Sequence, residues 1–341
     1  MQIKVKTIIK YGISLALAIV ILMYAFKNVD LNDFISKVSE VSFSWVVFSV
    51  FLSLVSHWLR AYRWNILLKP VGHELKSSRT FLAVMTGYLA NLAFPRIGEV
   101  TRCAVLKKND GVPMTTSFGT VITERIIDFF ILLFLIFFDF VFEFNKVFDF
   151  FSKTLKMEKL FENKTIIAAG IVSLILLGIL GVYLLRKFLQ HESDTGFIGK
   201  IRGWVRELTE GLLSLRKIEN AAGFVYSTIG IWVLYYLMSY VIVFSIPETA
   251  DLGFMAGLSI LVAGGIGMAM PVQGGIGAYH ALVAGILFIY GIQQETGLFF
   301  ATLLHASQVV SILFFGGVCV LISAFISKNK SSTSHDNGNQ S

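Results

Sequence analysis

Six largely apolar segments, each long enough to span a membrane, limit what this chain can fold into more than any other feature. They are Thr7 to Phe26, Phe43 to Leu68, Pro113 to Phe142, Thr165 to Leu185, Ala221 to Ile246 and Gly297 to Ile326. Each has about the 20 residues that carry a helix across a hydrocarbon layer about 30 Å thick. The runs read as membrane-spanning helices. A content of 55% hydrophobic and 15% charged residues, with a mean hydropathy of +0.72, agrees. The expected fold class is therefore an all-α polytopic membrane protein with about six full spans.

The formal charge of +7 would suggest nucleic acid in a soluble protein, but here the basic residues sit in short loops between apolar runs. No nucleic-acid partner is expected. Cys103 and Cys319 lie far apart without a CxxC pair, which reads as packing rather than a disulfide or a metal site, and no cofactor is implied. The first run follows Lys4, Lys6 and Lys10 like a signal peptide, yet no small-x-small cleavage site follows it, so it reads as a retained span. The polar, Ser/Asn-rich stretch 329–341 reads as a disordered tail after a single transmembrane domain of residues 1–328.

Two further apolar segments are broken. Arg79 to Lys108 is interrupted at Pro95-Arg96-Ile97-Gly98, and Gly253 to Ile292 at Pro271-Val272-Gln273-Gly274-Gly275-Ile276-Gly277. Each is either two short crossings or a re-entrant hairpin. If both are re-entrant and the N-terminus is cytoplasmic, 21 of the 29 Lys and Arg fall on inner segments and seven on outer loops. Making the first break a complete crossing erases that bias, so the positive-inside rule selects two re-entrant hairpins and cytoplasmic termini. The order span, hairpin, span over 43–142 then recurs upside down over 221–326, an inverted repeat of the kind that places a transport site near the midplane. Ala93-Phe94-Pro95 and Ala269-Met270-Pro271 match at the breaks. Between the repeats, 197–217 has apolar residues at helical spacing among basic ones and reads as an amphipathic cytoplasmic helix.

Charges inside these segments cost at least ~2.5 kcal/mol each on insertion scales, so each implies a partner or a purpose. Glu124 and Asp128, four apart, share a helix face, while Arg125 points about 100° away. The nearest basic candidates are Arg96 and Arg102 of the first hairpin, with His57, Arg60 and Arg63 in the preceding span. Arg96, Glu99 and Arg102 recur every three residues and are expected to line one side of the first hairpin's return arm. Two readings stand side by side: a closed salt-bridge network, or a site in which a spare guanidinium grips a phosphate-bearing headgroup. At the second break Gln273, Gly274, Gly275 and Gly277 lead into a half-helix whose free N–H groups would favour an anion. His280 and His305 lie close enough in depth to complete such a site.

RAYRW at 60–64, NLAFPRIGEVTR at 91–102, ERIID at 124–128 and PVQGGIGAYH at 271–280 together resemble the transmembrane region of the lysylphosphatidylglycerol synthases, a family also called flippase-like. The resemblance implies handling of lipid substrates: aminoacylated phospholipids in the synthases, polyprenyl-linked or other lipids in stand-alone members. By position it implicates Arg96, Glu99 and Arg102, then Glu124, Arg125 and Asp128, then Gly274, Gly275 and Gly277. Two departures are visible. The chain ends at 341 without a soluble aminoacyl-transfer domain, so lysylphosphatidylglycerol synthesis is not expected, and histidine stands at 280 where the family pattern has glutamate. The expectation is a lipid flippase or lipid-linked substrate transporter of a bacterial cell (inner) membrane, not an enzyme, with a phospholipid or polyprenyl-linked lipid as partner. An intramembrane lipid-modifying enzyme and a small-anion or proton-coupled transporter are the alternatives.

Overall fold

The computed structural model describes residues 36–94, 96–146, 218–270 and 272–338, with Met23, and side chains as far as Ser327. The spans expected at 7–26 and 165–185 and the amphipathic helix at 197–217 lie outside the described residues, apart from Met23. The chain divides into two compact units, one of residues 1–139 with 217–341 and one of 140–216. The account below concerns the first, and the described residues of both are helical or in turns, bends and irregular connections, with no strand among them.

Among the described residues eight α-helices carry the architecture: α1 (Phe43–Leu68), α2 (Ser77–Ala93), α3 (Gly98–Asp110), α4 (Met114–Phe142), α5 (Ala221–Tyr240), α6 (Phe254–Ala269), α7 (Ala278–Ile289) and α8 (Gln294–Gly338). Three described helical stretches are long and apolar enough to cross a membrane: Phe43–Val71, Ala221–Ser245 and Gln294–Ser327. Helix α4 has 29 residues but carries Glu124, Arg125, Asp128 and Asp139 along its length. Helix α8 runs on to Gly338, so most of the tail expected to be disordered continues a helix already formed. Extending a helix is far easier than nucleating one.

Both breaks fall where the sequence places them, and each separates two helices that fold back on one another. In the first, a Cβ on Gly87 would lie 2.7 Å from the Gly98 carbonyl oxygen and 3.3 Å from Arg102 Cβ, so glycine is what lets α2 and α3 approach. Asn91 Oδ1 accepts from the Gly98 N–H at 2.6 Å and closes the turn. In the second, a Cβ on Gly267 would lie 2.7 Å from Tyr279 Cα, giving α6 and α7 the same close approach.

Helix α1 packs on α5 and α2, and α8 on α7 and α2, so the two halves of the sequence interleave. The largest apolar cluster joins Ile242 and Ile246 after α5 to Ile260 of α6, Val283 and Leu287 of α7 and Phe300 of α8. The C-terminal half of α4 packs through Leu135, Ile136 and Phe138 against α5 and α6. Its N-terminal half is held by polar groups.

Candidate functional site

A polar stripe at three- and four-residue spacing, Ser117, Thr120, Glu124 and Asp128, is buried along α4 and faces α1. Opposite it, Arg60 and Arg63 share one face of α1. Arg60 donates from Nη1 to Glu124 Oε1 at 2.7 Å and from Nη2 to Asp128 Oδ2 at 2.8 Å. Arg63 Nη2 donates to Asp128 Oδ1 at 2.8 Å and to Glu124 Oε1 at 3.2 Å. A fifth member comes from the first hairpin: Arg102 Nη1 lies 3.0 Å from Glu124 Oε2, with its guanidinium carbon 4.6 Å from the centre of the Trp64 ring. Trp64 is fixed in turn by donating from Nε1 to Thr120 Oγ1 at 2.9 Å.

These five charged residues are almost wholly buried, from 0% exposure at Glu124 to 9% at Asp128. Three guanidiniums face two carboxylates, so the cluster carries one positive charge in excess. Among the described residues, Nε and Nη2 of Arg102 are buried with no hydrogen-bond partner. A cavity of about 10 Å³ lies beside them, between α2 and α3, lined by Tyr88, Asn91, Gly98, Glu99, Arg102 and Arg125 among others. That is room for about one water molecule. Arg125 turns away from the cluster as its helical position requires and pairs with Glu99 at 3.2 Å on the more exposed rim.

The expectation that Arg96, Glu99 and Arg102 line one side of the return arm is corrected. Arg96 precedes the first residue of α3 and has a left-handed backbone, φ 60°, so the three-residue period cannot reach it. Its Nη2 instead donates to the Ala269 carbonyl at the end of α6, at 3.0 Å. Gln273 makes the converse contact, donating from Nε2 to the Leu92 and Ala93 carbonyls at 3.1 and 2.9 Å. The two breaks therefore touch. Gly274, Gly275 and Gly277 adopt φ of 58°, 73° and 81°, values that glycine takes without steric cost. The N–H of Gly277, expected to await an anion, donates to His280 Nδ1 at 3.4 Å. His305 hydrogen-bonds the Gly274 backbone and packs on Tyr279 and His280, with ring centres 4.9 and 5.0 Å apart. The two histidines thus belong to the second break, whereas Arg60, Arg63, Arg102, Glu124 and Asp128 form the ion cluster.

Sequence reasoning passed over Trp64, Thr120, Asn91 and Thr228, whose Oγ1 accepts from Arg63 Nη1 at 3.4 Å. Trp64 covers Arg102 of another helix, a contact that spacing along one helix does not state.

The sequence pattern of the family described as Lysylphosphatidylglycerol synthase TM region matches residues 11–316, a range that holds both breaks and all five members of the cluster. The chain belongs to this family. The chain is similar to a UPF0104 membrane protein of Methanocaldococcus jannaschii. The two are 25% identical over 130 residues, 37% of this chain and 39% of that one. It is also 22% identical over 335 residues to the glycosyltransferase AglD of Haloferax volcanii, a match covering 88% of this chain and 52% of AglD. The chain thus spans about half or less of the length of these curated relatives. No solved structure matches it. The family's transmembrane region and the apolar helices make this an integral membrane protein.

Proposed function

We propose that the protein is a lipid flippase or lipid-linked substrate transporter that receives an anionic, phosphate-bearing headgroup at the arginine cluster. The observation that carries this reading is the buried surplus of positive charge: three guanidiniums against two carboxylates, with two nitrogens of Arg102 unpartnered. A closed structural network would be expected to balance its charges, since each buried ion costs several kcal/mol, about 2.5 or more on insertion scales. A phosphate beside Arg102 would supply the missing negative charge and accept from the free Nε and Nη2 together. The adjoining cavity is too small for a phosphate, so the conformation described is a closed one, and α2 and α3 must part for the headgroup to enter.

In this reading both helix pairs are re-entrant hairpins, the two halves form an inverted repeat within six spans, and both termini lie in the cytoplasm of a bacterial cell. Movement follows from alternating access between the repeats. The partner is a phospholipid or a polyprenyl-linked lipid, and no chemical conversion is assigned. The transferase name of one relative belongs to a protein of which this chain spans 52%, and its activity is not taken over.

The test is translocation in vesicles reconstituted with purified protein, using labelled phosphatidylglycerol and, for comparison, labelled phosphatidylcholine. Phosphatidylglycerol should cross faster, and Arg102→Met should abolish the difference while helix content is retained. Undiminished translocation by Arg102→Met would remove the site assignment. The contact of His280 with His305 at the second break favours one alternative, a proton-coupled transporter of small anions. Uptake of soluble phosphate without lipid movement would select it.

A further inference from the structure

The last carbonyls of a helix have no partner inside it, and a helix that ends within a protein needs them met from elsewhere. Helix α2 ends at Ala93 and α6 at Ala269, the alanines of the two matching break motifs. Each end is capped by the opposite hairpin. The amide nitrogen of Gln273 has two hydrogens and two acceptors, the Leu92 and Ala93 carbonyls of α2. Arg96 caps the Ala269 carbonyl of α6, where the partial negative charge of a helix C-terminus favours a cation.

The two caps differ in what they can do next. Gln273 is neutral and its Nε2 is fully engaged. Arg96 is charged and exposed, and it meets the Ala269 carbonyl through Nη2, so its guanidinium fork can reach a second acceptor. Its left-handed backbone, the only positive φ among the described non-glycine residues, aims the side chain across the gap between the breaks. A phosphate carries the negative charge that a carbonyl lacks and can accept two parallel N–H bonds from one guanidinium, so it competes with the carbonyl for Arg96.

We infer that Arg96 and Gln273 form a reciprocal latch that holds the two hairpin tips together, and that a phosphate group releases it by taking the Arg96 guanidinium from the Ala269 carbonyl. This rests on the reading above, since the phosphate that opens the tips is the one that then reaches Arg102. Gln273 is a positioning residue that closes the tips without touching the ligand. Arg96 does both.

Hydrogen exchange of segments 88–100 and 266–281 in lipid nanodiscs tests it, with three arms: phosphatidylcholine alone, phosphatidylcholine with phosphatidylglycerol, and phosphatidylcholine with inorganic phosphate in the buffer. Wild-type protein should exchange slowly in the first arm and about tenfold faster in the second, the change that loss of ordinary hydrogen bonds produces. Acceleration by inorganic phosphate instead would make the free ion the ligand. Gln273→Ala should accelerate exchange about tenfold in phosphatidylcholine alone and still respond to phosphatidylglycerol. Arg96→Ala should accelerate it without further response, and Arg96→Lys, which keeps a cation, should restore part of the response. Unchanged exchange at both breaks in Gln273→Ala would overturn the latch. No response of the wild type to either phosphate source, or a response that survives Arg96→Ala, would overturn the exchange of ligands. A protein that moves no lipid yet shows these exchange changes would sink the transport reading and leave the latch standing. Lipid movement with no exchange response would sink the latch alone.

Discussion

Replacing Glu124 by glutamine tests the charge arithmetic of the cluster directly. Glu124 is fully buried and lies within 2.7, 3.2 and 3.0 Å of guanidinium nitrogens of Arg60, Arg63 and Arg102. Without its charge the three arginines face Asp128 alone, and the buried excess rises from one positive charge to two. Removing one partner of a buried ion pair costs about 3–5 kcal/mol, and here one carboxylate serves three partners, so the upper part of that range is expected. Arg102→Met does the opposite, because it leaves two arginines facing two carboxylates. It loses the contact with Trp64, about 1–2 kcal/mol for a desolvated cation on an aromatic face, and one of the three arginine partners of Glu124, which keeps Arg60 and Arg63. The double variant should be less destabilised than Glu124→Gln alone, by about 1–3 kcal/mol of coupling. Equilibrium unfolding by sodium dodecyl sulfate in mixed micelles measures all three. If Glu124→Gln cost less than Arg102→Met, the cluster would not carry surplus positive charge and the argument for an anion site would fall.

Trp64→Phe should cost about 1 kcal/mol in the same unfolding measurement, the worth of the hydrogen bond to Thr120, and should loosen Arg102. Gly275→Ala should cost about 1–2 kcal/mol for a left-handed alanine, with Met268 displaced because its Sδ lies 2.6 Å from the new Cβ. Gly285→Ala, in open space inside α7, should instead be neutral or stabilising by up to about 1 kcal/mol. Outside the membrane segments, the Lys37 ammonium at 2.6 Å holds the Glu248 carboxyl below its usual range. A depressed carboxyl contributes stability that is full above its ordinary pKa, near 4.5, and is lost as pH falls through the lower folded value. Glu248→Gln should therefore flatten a small slope in stability below about pH 4.5, and because the pair is partly exposed the slope should shrink further in salt; a slope unchanged by the substitution would show that other groups produce it.

What the sequence disclosed follows from helical geometry. The four-residue spacing of Glu124 and Asp128 put them on one face, Arg125 turned to the other side, and both breaks lie where proline and glycine interrupt apolar runs. Contacts within one helix depend on spacing, which a sequence states outright. Contacts between helices depend on how each is rotated about its own axis, which it does not. Arg60 and Arg63 were therefore candidates like any other cation, and nothing marked them as the main partners of the acids. The period of three through Arg96 misled for a related reason: a helical count assumes a helix, and Arg96 stands outside one. Gln273 reaches an acceptor 181 residues away in sequence, a pairing that no local pattern encodes.

All five charges of the cluster lie between residues 60 and 128, and their order along the chain matters while the protein is being made. The ribosome delivers three cations first, at 60, 63 and 102, and the two anions only afterwards. Until residue 128 has emerged, α1 carries two arginines with nothing to neutralise them, and a lone charge resists the hydrocarbon interior. The arginines can meanwhile keep their heads at the interface on long flexible stems. Helix α1 can then reach its final depth only when α4 arrives, so a helix that is synthesised early settles late.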